Sequence, residues 1–305
     1  MAVTERPVSI GEGSGRLFGT LALPEAEGRF DAILIWSGSG PTDRDGNSPG
    51  GLNNNSLKML AHALAESGFA SIRTDKRGIG ESRPAMGREE ALRFETFVDD
   101  AVRWAKFLKE LPRVRYVSLL GHSEGALVVT LAAKRFRPGG LVLISGAGFP
   151  AADVLRRQIA EPGVDLPEPF LSETHGLLRA MEEGRIVDTV SPELLGAYRP
   201  TIQPYLISWF AHDPATALGN VSVPTLVIQG TTDLQTSTKD AERLKAARDG
   251  IRLVKIDGMN HVLKTAPSDR EENYATYFKP MLPLSTGLIP PVLEFLRRAT
   301  VGNDR

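Results

Sequence analysis

Gly121-His122-Ser123-Glu124-Gly125 joins two segments of opposite character. Before it, Tyr116-Val117-Ser118-Leu119-Leu120 is a short apolar run that reads as a buried strand. After it, the residues from Ser123 to Phe136 read as a helix. Strand, G-x-S-x-G and helix in that order is the setting of a nucleophile elbow. The glycines answer crowding. A serine on so sharp a turn exposes its hydroxyl, and side chains two residues to either side would strike neighbouring backbone.

Outward from the elbow, strands alternate with helices. On the N-terminal side, Pro7–Ile10 and Leu17–Leu23 flank a glycine-rich turn and read as a hairpin. Asp31–Trp36 and Phe69–Arg73 read as strands around a helix from Ser56 to Ser67, which Gly68 stops. Phe97, Ala101, Trp104, Ala105 and Leu108 mark an amphipathic helix over Phe94–Leu111. On the C-terminal side follow strands at Gly140–Ser145, Pro224–Gln229 and Ile251–Ile256. Helices are expected near Thr238–Arg248 and Pro291–Arg298. The alternation fails between about Phe149 and Asn220, where only short helical pieces occur. The expected organisation is therefore α/β: a mostly parallel sheet flanked by helices over 1–148 and 221–305, with a helical cap over 149–220.

Composition limits the function classes. The chain has 305 residues, 41% hydrophobic and 24% charged, with a formal net charge of -1. That balance gives no basic field for nucleic acid. No apolar run reaches membrane-spanning length, and the first residues lack the apolar core of a signal peptide, so a cytoplasmic protein is expected. There is no cysteine, which removes disulfides, thiolate ligands and a cysteine nucleophile. No metal or other cofactor is expected.

A serine hydroxyl needs a base. The elbow leads to the chain order Ser, acid, His. Asp233, in Gln229-Gly230-Thr231-Thr232-Asp233, follows one strand. His261, in Asp257-Gly258-Met259-Asn260-His261, follows the next. Parallel strands bring both loops to the carboxyl edge of the sheet beside Ser123. Ser123 is the expected nucleophile, His261 the base and Asp233 its orienting acid. Asp257 precedes the histidine too closely to approach from a separate loop, and Asp240 reads as solvated surface. His122 reads as packing, His62 as a helix residue near the surface, and His175 and His212 as structural residues of the cap.

With these motifs assembled, the chain resembles the α/β-hydrolase superfamily over nearly its whole length. GHSEG, TDKRGIGES (Thr74–Ser82), QGTTD and GMNH carry the resemblance. It implies an eight-stranded sheet with the cap after the sixth strand. More narrowly, SGSGPTDRDGN (Ser37–Asn47) resembles the H-G-S-G-P loop of bacterial carboxylesterases, with Ser37 standing where that family has His. In this setting the Glu124 backbone N–H is one expected oxyanion donor and Ser39, in the loop after the third strand, the other. Asp43-Arg44-Asp45 reads as an ion-paired brace reaching Lys76 or Arg77, with substrate contact by Arg44 as the alternative. The loop has neither a P-loop pattern nor a defined ligand set for a metal.

A serine at the elbow excludes the Asp-dependent dehalogenases and epoxide hydrolases of this superfamily. The expected reaction is hydrolysis of a small-molecule carboxylic ester through an acyl-enzyme. Thioester hydrolysis and an aminopeptidase-like activity are the alternatives. The latter needs an acid for the substrate amine, and Glu168, Glu173, Glu182 and Glu183 are unranked candidates. A non-catalytic ligand sensor is the reading outside enzymes. Phe149, Phe170, Tyr205, Trp209 and Phe210 are candidate walls of an apolar substrate pocket. Residues 264–288 read as an ordered loop packed by its own aromatics. Shaping the pocket entrance, or pairing subunits in a homo-oligomer, are the other possibilities for it.

Overall fold

The computed structural model describes residues 3–25, 27–161, 163–164 and 166–301. The strands are β1 (Thr4–Ile10), β2 (Leu17–Leu23), β3 (Phe30–Trp36), β4 (Ala70–Thr74), β5 (Val114–His122), β6 (Leu141–Ile144), β7 (Thr225–Gly230) and β8 (Arg252–Ile256). They form one eight-stranded sheet in the order β1-β2-β4-β3-β5-β6-β7-β8. β1 and β2 are antiparallel to their neighbours, and β3 to β8 run parallel. β3 is buried at every position, as expected of a strand covered on both faces.

The pleat divides the core. Leu34 and Trp36 pack with α2 (Phe94–Glu110) and α3 (Glu124–Phe136), whereas Ile33 and Ile35 pack with α1 (Ser56–Glu66) and α11 (Ile289–Val301). The spacing read for α2 is its buried face, including Phe97, Ala101, Trp104, Ala105 and Leu108. Between β6 and β7 the chain forms α4 (Ala151–Ile159), α5 (Phe170–Glu182), α6 (Leu195–Tyr198), α7 (Gln203–Phe210) and α8 (Pro214–Gly219). α9 (Thr238–Ala246) follows β7, and α10 (Arg270–Ala275) lies in the segment between β8 and α11.

Boundaries differ where local chemistry overrides periodicity. α11 begins two residues before Pro291, because prolines are tolerated in a first turn whose N–H groups have no helical acceptor. α3 begins at Glu124 because Ser123 has φ 55 and ψ −124, outside helical space.

Candidate active site

The elbow owes its shape to β5 ending against α3. A Cβ on Gly121 would lie 2.2 Å from the Gly125 carbonyl oxygen, and one on Gly125 would lie 2.6 Å from the oxygens of Trp36 and Ser37. Neither position admits a side chain. Ser123 carries the positive φ that the turn imposes, a strain tolerated where surrounding structure enforces it.

The loops after β7 and β8 meet beside it. His261 Nδ1 lies 3.0 Å from both carboxylate oxygens of Asp233. The Gln235 and Thr236 amides donate to Asp233 Oδ1 at 2.8 and 3.0 Å, while Thr236 Oγ1 and Gln229 Nε2 donate to Oδ2 at 3.1 and 3.2 Å. Burial pushes this carboxyl upward, but the imidazole and these donors outweigh it and hold the acid at about 2. An ionised Asp233 selects the tautomer with hydrogen on His261 Nδ1 and leaves Nε2 free to accept. His122 Nε2 lies 2.8 Å from the His261 carbonyl oxygen, and the two rings are 4.8 Å apart. Burial and the neighbouring His261 lower the His122 pKa to about 3, so it donates as a neutral ring. Among the described residues no hydrogen bond joins Ser123 Oγ to the imidazole, but both residues line one cavity. Asp257 is exposed and bonded to Thr231, away from this pair.

The loop after β3 lies against the serine. A Cβ on Gly38 would stand 3.0 Å from Ser123 Cβ and 3.5 Å from its Oγ, so a side chain there would crowd the nucleophile. Ser39 and Ser123 border a small cavity with Phe149, Val154, Leu155 and Trp209. They also border a second cavity with Thr42, Asn54, His261 and Tyr277. A third, apolar cavity of about 380 Å³ is bounded by Ser39, Lys76, Glu124, Leu155, Tyr205 and Trp209, among others.

Several expectations need correction. Arg44 binds Asp75 and Glu81, each at 2.5 Å, and Thr20 at 3.1 Å, and it lines none of these cavities. Asp45 pairs with Arg73 at 2.7 Å. The brace therefore avoids both Lys76 and Arg77. Arg77 instead holds Asp100, and Lys76 turns inward. Phe210 packs in the core beside Trp209 and lines none of the three cavities. Tyr205 spends its hydroxyl on Glu124 Oε2 at 2.6 Å. Asp240 is fully buried, not solvated: it caps α9 through Ser237 and binds Arg157 at 2.8 Å. The Ser237-x-x-Asp240 spacing of a capping box was the available signal. The segment after His261 does pack Tyr274 against Tyr277 and Phe278. It also borders the serine's cavity through both tyrosines, so the self-packed loop is only part of its role.

Comparison with known proteins agrees with this architecture. Esterase EstD of Thermotoga maritima is 28% identical over 252 residues, covering 80% of this chain and 57% of its own length. This chain thus spans little more than half of that relative. Among solved structures, Est1E from Butyrivibrio proteoclasticus superposes with a TM-score of 0.63 at 17% identity, covering 97% of this chain and 99% of its own. A thermophilic esterase from Thermogutta terrifontis gives 0.57 at 20% identity, covering 96% and 99%. These likenesses show the α/β-hydrolase fold. Among the described residues no helix is long and apolar enough to cross a membrane. The family described as serine aminopeptidase, S33, matches residues 51–265, a span that holds the elbow, Asp233 and His261, and the chain belongs to that family of hydrolases.

Proposed function

We propose that the protein hydrolyses small to medium carboxylic esters through an acyl-enzyme on Ser123. The observation that carries this reading is the Asp233–His261 pair, closed at 3.0 Å, on the cavity that holds the strained serine. His261 Nε2 takes the Ser123 proton as Oγ attacks the ester carbonyl. The oxyanion is received by the backbone N–H groups of Ser39 and Glu124. The imidazolium then protonates the leaving alkoxide. A water, deprotonated by the same nitrogen, releases the acid and restores the serine. Residues 149–220 act as the cap: Phe149, just before α4, and Trp209 on α7 wall the small cavity beside the serine, and Tyr205 borders the larger one. The esterase name of the Thermotoga relative supports an ester substrate.

The family description raises aminopeptidase-like chemistry as a second reading. A free carboxylate for the substrate amine is the missing part. The acids lining the three cavities are Glu124 and Glu89. Tyr205 takes one oxygen of Glu124 and the buried Lys76 ammonium faces the other at 4.0 Å, while Arg199 and Thr201 hold Glu89. Ester hydrolysis is therefore the better fit.

The test is turnover of p-nitrophenyl acetate and butyrate beside acyl-CoA and aminoacyl p-nitroanilides. The p-nitrophenyl esters are expected to be the better substrates. Ser123→Ala should lower kcat by about 10⁴-fold or more and abolish fluorophosphonate labelling. Full activity in that variant would sink the assignment.

A further inference from the structure

Lys76 is only 2% exposed, in the loop that follows β4. Its ammonium donates to the carbonyl oxygen of Gly38 and, at 2.9 Å, to that of Gly40. Glu124 Oε1 lies 4.0 Å away and has no hydrogen-bond partner among the described residues. Glu124 Oε2 accepts from the Tyr205 hydroxyl on α7. A single buried chain thus runs from Tyr205 through Glu124 to Lys76 and into the backbone at Gly38.

The contact at Gly38 has a consequence for Ser39. The Gly38 carbonyl and the Ser39 N–H belong to one planar peptide unit and point in opposite directions. Holding the oxygen on a buried cation fixes where the N–H points, and polarising the carbonyl makes that N–H a better donor. Gly38 itself sits against Ser123. The other proposed donor, the Glu124 N–H, is fixed separately, because the carbonyl of its peptide unit, Ser123 O, accepts from Ala126 N at 3.0 Å. Burying an ammonium is unfavourable unless it is well paired. Here burial pulls Lys76 downward and pushes Glu124 upward despite their mutual attraction. An apolar residue of similar length would fill the space without that cost, so bulk alone does not account for a lysine.

We infer that Lys76 is a positioning residue of the oxyanion hole: by gripping the Gly38 and Gly40 carbonyls it aims the Ser39 N–H at the transition state. The inference rests on the ester-hydrolase reading. Wild-type turnover of p-nitrophenyl butyrate tests that reading by itself, before any variant is compared.

The experiment compares wild type with Lys76→Met and with Lys76→Gln, which keeps one donor group and guards against a variant that fails to fold. Each is checked for cooperative unfolding, then assayed for kcat, KM and inhibition by an alkylboronic acid. The boronic acid bonds to Ser123 Oγ and places an oxygen where the oxyanion would lie. Lys76→Met should lose about 10- to 100-fold in kcat, with KM within about threefold of wild type. Boronate affinity should fall in parallel, and Lys76→Gln should lie between the two. A kcat within twofold of wild type in the folded variants overturns the proposal. So does a lower kcat with boronate affinity retained, because that would reflect loosened packing and not a misdirected donor.

Discussion

The His122 ring serves the site by staying uncharged. Buried under the elbow, it has a pKa lowered to about 3, whereas an unfolded histidine titrates near 6.5. Above 6.5 neither state binds the proton and stability is unaffected. As pH falls from 6.5 toward 3, only the unfolded chain gains it, so stability declines by up to about 1.4 kcal/mol per pH unit. Urea unfolding of wild type and His122→Asn between pH 7 and 4 isolates this slope, since other groups titrate equally in both. The wild type should lose more stability over that range than the variant, and parallel curves would contradict the assignment. Arg44 gives a second case. Its guanidinium holds the buried Asp75 and lines no cavity at Ser123. Arg44→Ala should destabilise by about 2 kcal/mol with unchanged preference between acetate and butyrate esters. A changed preference would restore it as a substrate contact. At this scale the sequence shows residues tied to a motif or a strand end: Ser123, Asp233 and His261 all follow from local context. Lys76 does not, because its local context suggests only an ion-pair partner for the Asp43-Arg44-Asp45 brace, and only the folded backbone reveals which carbonyls it meets.

Among the elements, α4 and α7 carry the separation between cavities. Leu155 on α4 and Trp209 on α7 border both the small cavity at Ser123 and the larger apolar one beyond. Trp209 is fixed by stacking on Phe94, with ring centroids 6.0 Å apart and planes within 4°. Leu155 is only partly buried, and it is the easier one to remove. Leu155→Ala should join the two spaces and admit a longer acyl chain. Each buried methylene is worth about 0.8 kcal/mol, so four added carbons leave ample room for a tenfold rise in the octanoate-to-butyrate ratio of kcat/KM. An unchanged ratio would mean that the large cavity takes no acyl chain. The main elements were legible from periodicity, since the α2 stripe is the buried face of that helix. The arrangement of α4–α8 was not. Their short amphipathic pieces pack on residues distant in sequence, and nothing local says which aromatic faces a cavity. That is how Phe210 and Trp209, adjacent on one helix, come to differ in role.

For the molecule as a whole, the question is what docks helices α4–α8 onto the sheet and its flanking helices. Ion pairs are visible links, among them Arg199 with Glu89, Arg157 with Asp240, Arg243 with Asp213 and His212 with Glu95. Magnitudes argue against them as the main term. Arg199 is 40% exposed and Glu95 55%, and pairs of that kind contribute about 0–1 kcal/mol each. Phe94 opens α2, is fully buried, and touches Tyr205, Trp209 and His212 across the junction. Its backbone N–H also donates to Ser208 Oγ at 2.8 Å. Truncating such a ring removes its transfer free energy and leaves a cavity, together about 3–5 kcal/mol. In urea unfolding, Phe94→Ala should therefore destabilise the protein several-fold more than Arg199→Ala, whose effect should stay near 1 kcal/mol or less. Phe94→Ala should also lower kcat, since Tyr205, which it supports, holds Glu124 beside the elbow. If Arg199→Ala proves the more damaging substitution, charge rather than aromatic packing seats these helices over the site.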